Sequence, residues 1–172
     1  MDPRDFWQKR TLKNGLGITL RAVRPEDKAR LLAAFQQLEP STVYTRFFAP
    51  KKTLSDAELE TATHLDFERS VALLATIGEG EGETVIGGGS YVADGAGGAE
   101  VAFTVEEDYQ GLGIAGMILK ELAGIARAKG LKRLEAEVLP ANAPMLAVFR
   151  GSGLPMTSRM EDGVVHVVMS LA

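Results

Sequence analysis

Apolar and polar positions switch period twice along the chain. Behind Pro25, Leu31, Leu32, Phe35 and Leu38 recur at helical spacing up to Pro40, and a shorter helical stretch through Tyr44, Phe47 and Phe48 stops before Pro50. Ser55 and Glu58 have the spacing of a capping box, which predicts a third helix to about His64. From residue 70 the period becomes two or the run continuously apolar, so 71–77, 84–92 and 99–105 read as three strands of a meander, joined by glycine-rich turns at 78–82 and 94–98. Before the first helix, Asn14-Gly15 is a tight hairpin turn, with Thr11-Leu12 ahead of it and Ile18, Leu20 and Ala22 alternating behind it. The helical period returns over 114–129. A strand over 132–139, a short helix opened by Asn142 and Pro144, and a hairpin around Asp162-Gly163 running into 164–171 complete the chain. These elements predict a mixed α/β sheet in a single domain over 1–172.

Composition adds exclusions. With 172 residues, 45% of them hydrophobic, and no cysteine, the chain reads as one soluble globular domain, without disulfide scaffold, zinc-thiolate site, iron-sulfur cluster or thiol catalysis. Met1 to Arg10 has no signal-peptide pattern, and no apolar run approaches the ~20 residues of a membrane span, so a cytoplasmic setting is expected. His64 and His166 stand far apart with no third partner, and no metal site is expected.

Charge is unevenly spread. Residues 1–53 carry 11 basic and 5 acidic side chains, residues 54–110 carry 1 and 13, and residues 111–172 carry 7 and 5. The acidic middle would repel nucleic-acid phosphates and attract a basic partner, unless its carboxylates simply occupy solvated helices and turns.

Candidate chemistry centres on Gln110-Gly111-Leu112-Gly113-Ile114-Ala115-Gly116, between a strand ending at Val105 and the longest helix. Glycines allow close backbone approach, and a helix start offers free N–H groups and the positive end of its dipole to an anion. The loop therefore suits a phosphate or pyrophosphate, although a glycine-rich strand-to-helix turn also serves plain packing. No Gly-Lys-Ser/Thr follows it, and the preceding strands read as antiparallel, against a P-loop or a dinucleotide fold.

Gln110-x-x-Gly113-x-Ala115 resembles the Arg/Gln-x-x-Gly-x-Gly/Ala signature of the GNAT N-acetyltransferase superfamily. The strand 100–105 before it, 136–142 after the helix, and Phe149-Arg150-Gly151-Ser152-Gly153-Leu154 near the end fall at matching distances. Ala99-Glu100-Val101-Ala102-Phe103, Tyr44-x-Arg46-Phe47-Phe48 and Asn142-x-x-Met145-Leu146-x-x-Phe149 resemble most the GNAT domain of bacterial Pat-type protein-lysine acetyltransferases. The resemblance implies an α+β GNAT fold, with a mostly antiparallel central sheet of about seven strands flanked by helices. It implies acetyl-CoA as co-substrate, its pyrophosphate on the amides of 110–116. The main chain of Phe103, Thr104 and Val105 would pair with pantetheine, and Asn142 and Phe149 would lie against the cofactor.

Glu100, an acid at the head of an apolar strand, is the candidate general base. Partial burial would lift its pKa toward the working range, and the alternative is an exposed strand-edge carboxylate. Asn142 reads equally as a helix cap. Phe149 stands where many GNAT enzymes carry a tyrosine acid and cannot donate a proton. Tyr44 and Arg46 are candidates for acceptor contacts. The expected activity is acetylation of a primary amine, foremost a protein lysine. The alternatives are a small-molecule amine as acceptor, or a non-catalytic acyl-CoA module. Expected partners are acetyl-CoA, a lysine-bearing protein and a second copy of the chain, without nucleic acid or membrane.

Overall fold

The computed structural model describes residues 2–47 and 51–172; for Tyr44, Thr45 and Phe47 it describes the main chain alone. Eight strands form one sheet: β1 Trp7–Thr11, β2 Gly17–Ala22, β3 Ser70–Ile77, β4 Thr84–Ala93, β5 Gly98–Val105, β6 Arg133–Val138, β7 Met156–Glu161 and β8 Val164–Ser170, in the order β1-β2-β3-β4-β5-β6-β8-β7. The helices are α1 Lys28–Gln36, α2 Pro40–Phe47, α3 Asp56–Thr63, α4 Ile114–Ala128 and α5 Ala143–Arg150. Against the about seven strands that the resemblance implies, the sheet has eight, and no residue of its edge strands β1 and β7 is buried. Among the described residues no helix is long and apolar enough to cross a membrane.

All ladders are antiparallel except β5 with β6. Helix α4 packs on β3, β4 and β5 through buried Ile114, Ile118, Leu119 and Leu122, while α1 lies against β4 and α2 against β5. Gly89 makes the α4 contact close: a Cβ there would fall 2.6 Å from the Phe103 ring and 2.7 Å from Ile118, so glycine is what lets both pack over β4.

The first half of the chain is anchored by a buried charge network. Arg21, 2% exposed, donates two hydrogen bonds to Asp27, 0% exposed, at 2.7 and 2.9 Å, and a third to Glu83 at 3.0 Å. Asp27 also accepts from the Arg24 amide at 2.7 Å, which fixes the turn into α1. Burial alone would raise the Asp27 pKa, but the hydrogen bonds from Arg21 and Arg24 outweigh it and hold the carboxyl below its usual range. Arg21 holds Glu83 down likewise.

This network also answers the charge imbalance along the chain. Glu83 meets Arg21, Glu60 meets Lys28, Glu58 meets Lys51, Glu68 meets Lys129 and Asp94 meets Arg133, so the acids of 54–110 draw many of their cations from the flanking segments. Asp66 instead accepts three main-chain N–H bonds, from Glu68, Arg69 and Ser70. Among the described residues, five of the thirteen acids of 54–110 thus meet a cation within the fold, so the count along the chain overstates the negative charge left for a partner.

Candidate active site

Strands β5 and β6 pair over only three residues, from Gly98↔Arg133 to Glu100↔Glu135, and then part. Beyond Glu100, alternate N–H and C=O groups of β5 therefore face the gap without a β6 partner. A cavity of about 200 Å³ fills this gap. Side-chain alternation shows that it crosses the sheet. Val101 and Phe103 of β5 point to the α4 face, and Glu100 and Ala102 to the opposite one. On β6, buried Ala136 and Val138 alternate with Glu135 and Glu137, which share the Glu100 side. Phe103 and Phe149 close the first face, ring centroids 6.0 Å apart and tilted by 60°. Arg46, Glu100 and Glu137 border the second.

At the α4 end the chain makes a backbone cradle. Gly111 has φ +77° and Gly113 φ +100°, the left-handed region that glycine enters without strain. Gly113 is the N-cap of α4 and offers no side-chain bond, so the amides of Ile114, Ala115 and Gly116 open the helix without a capping acceptor. Ile114 is 1% exposed and anchors the loop in the core. Gln110 Nε2 donates to the Val105 carbonyl at 2.9 Å and to Thr42 Oγ1 at 3.4 Å. Its side chain thus pins the loop to β5 and α2, leaving its main chain for a ligand. Leu112 accepts from the Lys13 amide at 3.3 Å, and Lys13 Cε lies 3.6 Å from where a Cβ on Gly113 would stand. Lys13 was not legible in sequence: it sits in the β1–β2 hairpin turn, and folding alone carries it to the cradle. Helix dipole, free amides and this ammonium together suit a pyrophosphate.

On the other face, Glu100 is exposed, which corrects the expectation of partial burial; Val92, its neighbour across the β4–β5 ladder, is 54% exposed as well. Arg46 of α2 is partly buried: desolvation pushes its pKa down, while the Glu100 carboxylate favours its charged form. The Tyr44 side chain and Phe48 lie outside the described residues. Asn142 caps α5, accepting from the Met145 amide at 3.3 Å, and it also lines the cavity. Phe149, 1% exposed, is a wall of the cavity. Thr104 and Val105 are partly buried beside the gap, with the Val105 carbonyl already taken by Gln110. Glu137 joins the site from β6; its sequence signal is the alternation of Arg133, Glu135 and Glu137 with Leu134, Ala136 and Val138. His166 Nε2 bonds Glu135 at 3.0 Å, outside the cavity, and no group of three His, Cys, Asp or Glu that could hold a metal occurs among the described residues.

The arrangement joins a phosphate cradle to a carboxylate through a split sheet, and the match to known proteins is of the same kind. Residues 35–154 match the model of the acetyltransferase (GNAT) family. The chain belongs to the GNAT acetyltransferase family. An acetyltransferase of Pseudomonas aeruginosa is 30% identical over 169 residues, covering 98% of this chain and 90% of that protein. The crystal structure of the GNAT domain of S. lividans PAT superimposes with a TM-score of 0.87 at 36% identity, over 95% of this chain and 96% of that one. A putative acetyltransferase of Salmonella typhimurium, solved with its cofactor acetyl-CoA, shares the fold at a TM-score of 0.70 and 19% identity, over 90% and 94% of the two chains. In this GNAT acetyltransferase the cradle and the unpaired edge of β5 offer main-chain hydrogen-bond donors to a ligand.

Proposed function

We propose that this acetyltransferase acetylates the ε-amino group of a protein lysine in the cytoplasm, with Glu100 as general base. The observation that carries the reading is the slot through the sheet, with the cradle on one face and Glu100 on the other. Acetyl-CoA supplies an activated thioester. Its pyrophosphate lies on the main chain of Gly111, Leu112, Gly113, Ile114, Ala115 and Gly116, with Lys13 adding charge. Gap-facing main-chain groups of Phe103, Thr104 and Val105 align pantetheine, and Asn142 and Phe149 border its reactive end. The acceptor enters from the Glu100 face, beside Arg46 and Tyr44.

A lysine with a pKa near ~10.4 is neutral in about one molecule in two thousand at pH 7, so the reaction needs a group to take the proton. Glu100 stands at the acceptor mouth to do so, directly or through water. Phe149 has no proton to give, so CoA leaves as a thiolate that water protonates. An open acceptor face favours a protein: Glu137 on β6 and Glu100 on β5 share one side of the sheet and are both exposed.

A second reading rests on a cavity of about 610 Å³ under α1 and α3, lined by Leu31, Phe35, Leu38 and Leu65 and sharing Arg46 and Ala102 with the slot. It would suit a small hydrophobic amine. Mass spectrometry of candidate proteins incubated with acetyl-CoA, beside CoA release on an amine panel, separates the two. Lysine acetylation should be about 10²–10⁴-fold slower with E100Q. Equal rates for both forms would remove Glu100 as the base, and turnover confined to small apolar amines would favour the second reading.

A further inference from the structure

Glu137 differs from its near neighbours Glu135 and Asp94. Glu135, two residues before it, is held by Arg133 at 3.0 Å and by His166 at 3.0 Å, and Asp94 is held by Arg133 at 2.8 Å. Glu137 is exposed and makes no hydrogen bond or ion pair among the described residues. Its cross-strand partner is His166, the one cation-forming group opposite it on β8, yet that ring turns to Glu135. At the same time Glu137 lines the slot, on the side of the sheet that carries Glu100.

We propose that Glu137 is a specificity residue that holds a second basic side chain of the acceptor, a Lys or Arg close to the reacting lysine. The proposal rests on the reading of the Glu100 face as the acceptor side. Geometry argues for a second cation rather than the reacting amine. Glu137 lies two residues beyond the level of Glu100 on the diverging strand, which places the two main chains roughly 8 Å or more apart given ~3.3 Å per residue and ~4.8 Å between strands. That spacing suits two neighbouring side chains of one protein surface. Chemistry agrees: a second carboxylate on the reacting ammonium would stabilise its charged form and oppose deprotonation, whereas a carboxylate on its neighbour recruits the acceptor without that cost. The β8 and β7 groups nearest to it, His166 and Arg159, are engaged with Glu135 and Glu161, so Glu137 is left to meet an incoming charge.

The test uses two lysine peptides that differ at one neighbouring position, arginine in one and the neutral isostere citrulline in the other. Both acetylation and equilibrium binding to the CoA-loaded protein, by fluorescence anisotropy, are measured. Wild type should favour the arginine peptide by about two- to fivefold, the scale of an exposed ion pair, and the preference should shrink at high salt. E137Q should bring the ratio close to one, and E137K should invert it. A wild type without preference, or a preference that survives E137Q, overturns the proposal. Charge-dependent binding without acetylation would sink the lysine reading and leave Glu137 as a recognition residue; acetylation without preference would do the reverse. If neither peptide binds or reacts, both fall.

Discussion

Two sets of arginines and carboxylates divide this acetyltransferase between stability and chemistry. Arg21, Asp27 and Glu83 lie under α1, where every charge meets a partner at hydrogen-bond distance and Asp27 is sealed from solvent. Arg46, Glu100 and Glu137 border the slot, where both carboxylates are exposed and neither accepts a hydrogen bond from the described residues. The residue types are the same, and pairing sets the role. A fully satisfied buried network positions backbone but has nothing left to offer a ligand, while an exposed carboxylate keeps its acceptor sites for one. The same contrast shows that counting acids along the chain misleads, since Glu83, Glu58, Glu60, Glu68 and Asp94 in 54–110 already meet cations within the fold.

This contrast can be tested at its strongest point by D27A, which leaves the Arg21 guanidinium buried without its main partner. The expected loss is about 3–5 kcal/mol of stability, or a fall in melting temperature of roughly 6–20 °C, with activity per folded molecule unchanged. E100Q should show the opposite pattern, with the rate lost and the melting temperature held. A D27A protein that melts like wild type would remove the distinction.

Acid should find the same difference. Asp27 and Glu83 have folded-state pKa values below their unfolded ones, so their contribution is present above the unfolded values, near pH 4, and is lost as pH falls through the lower folded values. Thermal melts should therefore be level from neutral pH to about pH 5 and drop steeply below about pH 4. A melting temperature that stays level down to pH 3 would take the buried network out of the account.

Smaller effects separate the two glycines of the cradle. G113A forces a side chain into φ +100° and should cost about 1–2 kcal/mol, together with a raised KM for acetyl-CoA. Gly116 has nothing within 4 Å of a new Cβ, and alanine is the better helix former, so G116A should gain up to about 1 kcal/mol while still raising that KM. A stabilised G116A with unaltered KM would show that acetyl-CoA does not approach position 116 as closely as a Cβ would reach.

Much of this molecule was readable in one dimension, because local rules wrote it there. Ser55 and Glu58 form the reciprocal capping bonds that their spacing predicts, both at 3.1 Å. Helix α4 begins at Ile114, as its apolar period and the preceding glycines require, and the meander β3-β4-β5 follows its alternation. The edge strands β1 and β7 were harder to see, since neither buries a face. Periodicity, caps and turn residues act over a few positions, and so the sequence by itself determined the elements, the glycine cradle and the family.

Assembly decided the rest. That β5 and β6 part after Glu100↔Glu135, and so open a slot through the sheet, depends on a parallel pairing between segments more than thirty residues apart. The same pairing brings Glu137 to the side of Glu100, leaves Glu100 exposed rather than partly buried, and sets Phe103 and Phe149 on the face opposite to Glu100. Lys13 reaches the cradle from the far end of the chain, and Arg21 removes Glu83 from the pool of free acids. Distances between residues remote in sequence are set by how strands pair and helices pack, and charge has chemical meaning only once those distances exist.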